Sequence, residues 1–143
     1  MARIKPGTPE HFFATINIPV RIADINYGNH VGNDAFVGII HEARMQWLQQ
    51  HGYTELQIEG IGLIMSALVI EFKSESFYGD IIEVKIGVGE ISRVSFELLY
   101  ELITKRKGES VLLANAQTGM VCYDYSAKKP VTVPEKLRSI LNA

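Results

Sequence analysis

A long helix is predicted in the first half of the chain, where apolar residues return every three or four positions. Four of these residues share one helix face: Phe36, Ile40, Ala43 and Trp47. Asn33 or Asp34 is predicted to cap the first turn, and no proline interrupts the helix before it stops near Gly52. Because further apolar residues widen this face, we expect the helix to be mostly enclosed.

The rest of the chain shows patterns that are typical of β-strands. Residues 11–22 predict a first strand, in which Pro19 indicates a sheet edge or a bulge. Residues 61–72 are apolar at nearly every position, which predicts a central strand covered on both faces. Pro134 is expected to open a short terminal helix. Three further segments alternate apolar and polar residues and predict half-buried antiparallel strands: 82–88, 93–104 and 109–125.

This order of elements, one strand, one helix and then a run of strands, predicts an α+β fold. We expect a curved antiparallel sheet of about five strands wrapped around the long helix. Residues 1–143 are predicted to form a single domain, with residues 1–10 as a flexible lead-in. A single open sheet leaves an unpaired edge, so two copies are expected to pair edge to edge as a homodimer, or to assemble further as a homotetramer.

Composition narrows the classes of function. The chain has 143 residues, of which 47% are apolar, enough for one domain with a hydrophobic core. A formal net charge of −2 gives no electrostatic reason to expect a nucleic-acid partner. The basic triplet from Lys105 to Lys107 reads as a charged hairpin tip before Gly108, or as a contact for a phosphate group.

The single cysteine, Cys122, excludes an internal disulfide and fits a reducing compartment. Its apolar, alternating surroundings predict a buried side chain rather than a nucleophile. The amino terminus lacks the apolar core of a signal peptide, and the run at 61–70 is too short to cross a bilayer, so we expect a soluble cytoplasmic protein. No metal or cofactor is predicted, because the four histidines lack a tight ligand spacing: His11, His30, His41 and His51.

Most residues able to do chemistry lie in the loop that leads into the long helix. Four polar side chains occur there within seven positions: Asp24, Asn26, Asn29 and His30. The unpaired N–H groups and the positive dipole end of a helix favour an oxygen with developing negative charge, so the loop is a place to polarise a carbonyl. The alternative is that Asp24, Asn26 and Asn29 only close turns with their side chains.

The run ADINYGNHVGN at residues 23–33, followed by HEAR at 41–44, resembles the signature of the hotdog-fold acyl-CoA thioesterases of the 4-hydroxybenzoyl-CoA thioesterase type. Those proteins commonly carry ADxDxxGHVNN and then a helix with ExAR. Asp24 aligns with the first aspartate of the motif, but Asn26 stands at the second, which the resemblance would make the catalytic carboxylate. The resemblance implies a hotdog fold, hydrolysis of acyl thioesters and active sites at a dimer interface.

The resemblance also suggests how the substrate is held. The backbone N–H groups around Gly32 and Asn33 are expected to bind the carbonyl oxygen of the thioester. Tyr27 and Gly28, in the same loop, are predicted to contact the substrate, although an aromatic residue at such a position is often ordinary packing.

Asn26 is neutral, so it can orient water but cannot accept its proton, and another residue is needed as the base. Three residues are candidates for that role: Asp24, His30 and Glu42. Asp24 lies two residues before Asn26, so in an extended segment both side chains would point to the same side. His30 carries an imidazole suited to proton transfer near neutral pH, or it is a structural hydrogen-bond donor.

Glu42 lies one turn beyond Gly38 on the predicted helix, where burial would make it a reactive carboxylate. The helix-weakening Gly38 suggests that another backbone or a ligand comes close there. The alternative for Glu42 is a structural salt bridge with Arg44 or Arg21.

We therefore expect an acyl-CoA thioesterase of lipid metabolism, acting on a CoA or acyl-carrier thioester. The alternative is a hotdog protein that binds such thioesters without cleaving them, because of Asn26. A hydratase or dehydratase on the same scaffold is a third possibility, although the loop looks less like those families.

Overall fold

The long helix confirms the prediction from apolar periodicity. The computed structural model describes residues 4–143, and α1 spans Asn33–Gln50. Its four predicted core residues are at most 3% exposed. The N-cap is Gly32 and not Asn33 or Asp34, because Gly32 has extended backbone angles and helical geometry already begins at Asn33. The chain leaves the helix at Gly52, whose φ of 79° lies in the left-handed region that favours glycine.

The strands are β1 (Ala14–Pro19), β2 (Gly62–Phe72), β3 (Ile81–Ile91), β4 (Ser95–Arg106), β5 (Glu109–Asp124) and β6 (Lys129–Pro130). They form one antiparallel sheet in the order β1-β3-β4-β5-β2, with β6 paired to β5. The α+β hotdog arrangement is confirmed, with a two-residue strand beyond the five expected. A 3₁₀ turn (Ile22–Asp24) follows β1, and α2 (Glu135–Leu141) ends the chain.

The strand after α1 corrects one prediction. β2 lies at an edge of the sheet, paired with β5 alone among the described residues, and is not a central strand. Its apolar side chains are therefore partly uncovered, and Ile64, Met65 and Phe72 are 36%, 40% and 45% exposed. The other edge is β1, which ends at Pro19 as expected for a residue that cannot donate to a ladder.

A buried polar cluster ties α1 to the sheet. Arg44 is 4% exposed, and its Nε donates to Glu55 Oε2 at 3.0 Å. Its Nη1 donates to the Tyr100 hydroxyl at 3.3 Å, and that hydroxyl lies 2.8 Å from Thr118 Oγ1. Burial raises the pKa of Tyr100, and the neighbouring Arg44 offsets only part of the increase. The partner of Arg44 is thus Glu55, so the pair considered between Glu42 and Arg44 is wrong. Of the two arginines considered for Glu42, Arg21 is the one whose charge interacts with it.

The buried position expected for Cys122 is confirmed, since its side chain is 0% exposed. Burial raises the pKa of the thiol to about 11, so at pH 8 only about one molecule in a thousand carries the reactive thiolate. We predict that a thiol reagent at pH 8 does not label the native protein within minutes and labels one thiol per chain in denaturant. Rapid labelling of native protein would contradict this burial.

Candidate active site

The loop before α1 is a closed turn rather than an extended segment. The Asn26 N–H donates to the His30 carbonyl at 2.9 Å, and the Asn29 N–H donates to the Asn26 carbonyl at 3.1 Å. Asn29 has a φ of 64°, a left-handed conformation that asparagine tolerates better than most residues. Finally the Gly32 N–H donates to the Asp24 carbonyl at 3.1 Å, which joins the two ends of the loop at the start of α1.

The two polar atoms of the Asn26 side chain have different surroundings. Its Oδ1 accepts the Gly28 N–H at 2.9 Å, so the turn-closing role considered from the sequence is present. Its Nδ2 lies 3.7 Å from the point that a Cβ on Gly32 would occupy. The amide nitrogen is therefore beside the first residues of α1, where it can donate to a bound ligand.

The start of α1 offers hydrogen-bond donors. Within residues 4–143, no acceptor is found for the first-turn N–H groups of Asn33, Asp34 and Ala35, and the N-cap has no side chain to satisfy them. The N–H of Gly32 is already bonded to the Asp24 carbonyl, so the available donors begin at Asn33. Together with the helix dipole, these N–H groups form a site that favours a carbonyl oxygen gaining negative charge.

A pocket of about 240 Å³ opens beside this helix start and is lined by His30, Val31, Asn33, Phe72 and residues 73–75. His30 is half-buried, and its Nδ1 lies 3.2 Å from the Val31 carbonyl. When Nδ1 carries the proton of that hydrogen bond, Nε2 is left as an acceptor. The pocket adjoins the end of the edge strand β2, so it lies near the uncovered apolar edge of the sheet.

Asp24 and Glu42 lie elsewhere. Both line a second pocket of about 280 Å³, beside β1. The 3₁₀ turn directs the Asp24 side chain to Arg21, whose backbone N–H and Nη2 donate to it at 2.8 Å and 3.2 Å. Asp24 and Asn26 therefore do not share one side of an extended segment, and that expectation is wrong.

Glu42 is exposed, which corrects the expected burial. One of its carboxylate oxygens accepts the Gln46 Nε2 at 2.8 Å, one turn further along α1. Apart from its chain neighbours and the backbone of α1 itself, nothing in the described chain lies within 4 Å of the point that a Cβ on Gly38 would occupy, so no other element makes the close approach suggested by the glycine.

The structure brings Gly28 close to His30, but it leaves Tyr27 isolated. His30 Nε2 lies 3.2 Å from the point that a Cβ on Gly28 would occupy. Tyr27 projects from the tip of the turn and is fully exposed. Contact between Tyr27 and a substrate stays a prediction, since its side chain lines neither of the two pockets.

The segment after β2 was missed by sequence reasoning, although it forms one wall of the His30 pocket. Asp80 holds it in place, accepting Arg106 Nη2 at 2.6 Å and the Phe77 N–H at 2.9 Å. Burial alone would raise the pKa of Asp80, but hydrogen bonds from Arg106, Phe77 and Ser76 outweigh it and hold the pKa below its usual value. Arg106, the middle residue of the basic triplet, thus forms an ion pair with Asp80 of the same chain.

This segment also contacts the loop directly, because the Val31 N–H donates to the Ser76 carbonyl at 2.8 Å. Val31 and Ser76 are 45 positions apart, and Asp80 and Arg106 are 26 positions apart, so no local sequence pattern predicts either contact. Among the described residues there is no cluster of three or more metal-ligating side chains, and no helix is long and apolar enough to cross a membrane.

The fold and the loop identify the class of protein. The chain belongs to the thioesterase-like superfamily, whose sequence profile it matches over residues 20–141. It is 22% identical to the Escherichia coli acyl-CoA thioester hydrolase YbgC, over 83% of this chain and 90% of that protein.

Solved structures share the fold. The 1,4-dihydroxy-2-naphthoyl-CoA thioesterase Slr0204 from Synechocystis superimposes with a TM-score of 0.78 at 24% identity, covering 90% of this chain and 94% of that one. A second similar structure is a 4-hydroxybenzoyl-CoA thioesterase with an aspartate-to-asparagine substitution, in complex with 4-hydroxybenzoyl-CoA. It superimposes with a TM-score of 0.80 at 16% identity, and the match covers 90% of this chain and 97% of that one.

Proposed function

We propose that this protein hydrolyses acyl-CoA thioesters, with the carbonyl bound at the start of α1. The observation that carries the proposal is the convergence of unbonded N–H groups from Asn33 to Ala35 with the Asn26 amide, beside the pocket that holds His30. Membership of the thioesterase-like superfamily and similarity to an acyl-CoA thioester hydrolase support it.

The proposed chemistry follows from these donors. The thioester oxygen accepts hydrogen bonds from the first turn of α1, which makes the carbonyl carbon more electrophilic and stabilises the tetrahedral intermediate. Asn26 Nδ2 orients the attacking water or adds a further donor. His30 lines the pocket and can exchange a proton with the substrate or water. Asp24 supports the turn through Arg21 rather than acting on the substrate.

We also propose that the active form is a homodimer joined along β2. β2 is an edge strand with exposed apolar side chains, and pairing with the β2 of a second copy would cover part of them. The His30 pocket adjoins the end of β2, so the partner would complete one wall of the site. Residues 1–143 form one domain in this proposal, and cytoplasmic lipid metabolism is the setting in which acyl-CoA turnover and a free buried Cys122 fit together.

The second candidate function is binding of an acyl-CoA or acyl-carrier thioester without hydrolysis. The observation that favours it is Asn26 itself, because an uncharged amide cannot act as a carboxylate nucleophile or base.

A panel of acyl-CoA esters distinguishes the two functions. We expect the wild-type protein to release CoA thiol from at least one aliphatic or aromatic ester, with turnover numbers of about 1–1000 per second. The buried Cys122 should not interfere with thiol detection. Binding of the esters without thiol release, together with new activity in Asn26→Asp, would identify a binding protein and contradict the hydrolase.

A further inference from the structure

We propose that Asp34 supplies the carboxylate that Asn26 lacks and acts as the base that activates water. This inference rests on the proposed thioester hydrolysis and names the residue that removes the proton from water. Asp34 belongs to the first turn of α1 and is exposed, so solvent and substrate can reach it.

Gly32 is the residue that brings the two side chains together. The nearest atoms to the point that its Cβ would occupy are Asp34 Oδ1 at 2.7 Å, Asn26 Cβ at 3.5 Å and Asn26 Nδ2 at 3.7 Å. A side chain at position 32 would collide with the Asp34 carboxylate, so glycine leaves the space in which a donor and an acceptor face one small gap. One water molecule in this gap could accept from the Asn26 amide and donate to Asp34.

The gap is also beside the groups that would bind the substrate. The N–H groups of Asn33 and Ala35 flank Asp34 in the first turn and have no acceptor among the residues described. A carbonyl oxygen bound there places its carbon next to the water held between Asn26 and Asp34.

The other nearby carboxylates are less suitable. Asp24 is held by Arg21, and Glu42 lies in the pocket beside β1 with Gln46 as its partner. Glu75 lines the His30 pocket, but none of its atoms is among the three nearest to the space above Gly32.

In the proposed reaction, Asp34 acts first as a base and then as an acid. Asp34 Oδ1 takes one proton from water while the water oxygen forms a bond to the carbonyl carbon, and the π electrons move to the oxygen held by the helix. When that oxygen re-forms the carbonyl, the C–S bond breaks, and the leaving thiolate takes the proton from Asp34. The products are the free acid and CoA, and the Asp34 carboxylate is regenerated.

The experiment compares the isosteric variant Asp34→Asn with Glu42→Gln, the same change of carboxylate to amide about two turns further along α1, in the pocket beside β1. We expect Asp34→Asn to lower kcat about 100- to 1000-fold with KM nearly unchanged, and Glu42→Gln to keep wild-type values. The double variant Asn26→Asp with Asp34→Asn should recover activity at least about tenfold, because it returns a carboxylate to the opposite side of the same gap.

A second pair of variants tests the geometry without removing the acid. Gly32→Ala should displace Asp34 Oδ1 and lower kcat, whereas Gly38→Ala, whose Cβ would meet nothing within 4 Å beyond the backbone of α1 and its chain neighbours, should leave kcat unchanged. Circular dichroism checks that each variant is folded. If Asp34→Asn keeps wild-type activity, the role of Asp34 is overturned but the proposed hydrolase is not. If, in addition, His30→Gln loses activity, the base is His30. Absence of turnover in the wild type overturns the hydrolase and this inference together.

Discussion

Replacing Met65 with lysine is expected to separate the proposed dimer and to lower kcat/KM roughly 100-fold, because the pocket at the end of β2 would lose its partner wall. Met65 is 40% exposed in the single chain, so the lysine should not disturb the fold of one copy. Across an isologous interface the new charge would lie near its symmetry mate, and charged side chains on an edge strand oppose pairing between edges.

The matched control is Ile81→Lys, which introduces the same charge at a 56%-exposed apolar residue of β3, the strand next to the opposite edge. Sedimentation velocity should show wild type and Ile81→Lys at twice the chain mass and Met65→Lys at the chain mass. A wild-type monomer, or a Met65→Lys protein that remains dimeric, would contradict pairing along β2.

Replacing Arg44 with methionine is expected to lower the free energy of unfolding by about 3 kcal/mol. The loss arises because Glu55 and the Tyr100 hydroxyl each lose a charged hydrogen-bond donor in a place where water replaces it poorly. Methionine keeps most of the apolar volume of the arginine stem, so the change reports mainly on the polar contacts. Urea unfolding at fixed protein concentration measures the difference.

The double variant Arg44→Met with Glu55→Gln is the control. Removing the charge of Glu55 as well should recover part of the lost stability, since no carboxylate is then left without its arginine. A change below about 0.5 kcal/mol in Arg44→Met would show that the cluster contributes little to stability.

The features that were predictable from the sequence are those set by local periodicity. The helix from Asn33 was predicted because Phe36, Ile40 and Trp47 repeat at helical spacing and can be buried together only on one face. The alternating strands and the turn at Lys107 and Gly108 follow from the same kind of pattern, and these elements already define the fold class.

The position of β2 in the sheet was not predictable in this way. An apolar pattern on both faces predicts that both faces of a strand are buried, but it does not show whether the same chain or a second chain buries them. β2 therefore reads as a central strand, and in the single chain it is an edge with Ile64 and Met65 exposed.

The arrangement of the site depended on short, non-periodic geometry. A three-residue 3₁₀ turn rotates Asp24 away from Asn26, and no repeating pattern marks such a turn. Arg44 pairs with Glu55 across a turn of the chain rather than with its sequence neighbour Glu42. The position of the Asp34 carboxylate beside the missing side chain of Gly32 likewise depends on the backbone angles of the N-cap, which the sequence does not show.

Binding of the thioester carbonyl at the start of α1 is tested most directly by a crystal structure of the protein with a non-hydrolysable acyl-CoA analogue. We expect the analogue's carbonyl oxygen at roughly 2.7–3.2 Å from an N–H nitrogen of the first turn of α1, next to Asn26 and Asp34. An analogue whose carbonyl lies instead in the pocket of Asp24 and Glu42, beside β1, would contradict it.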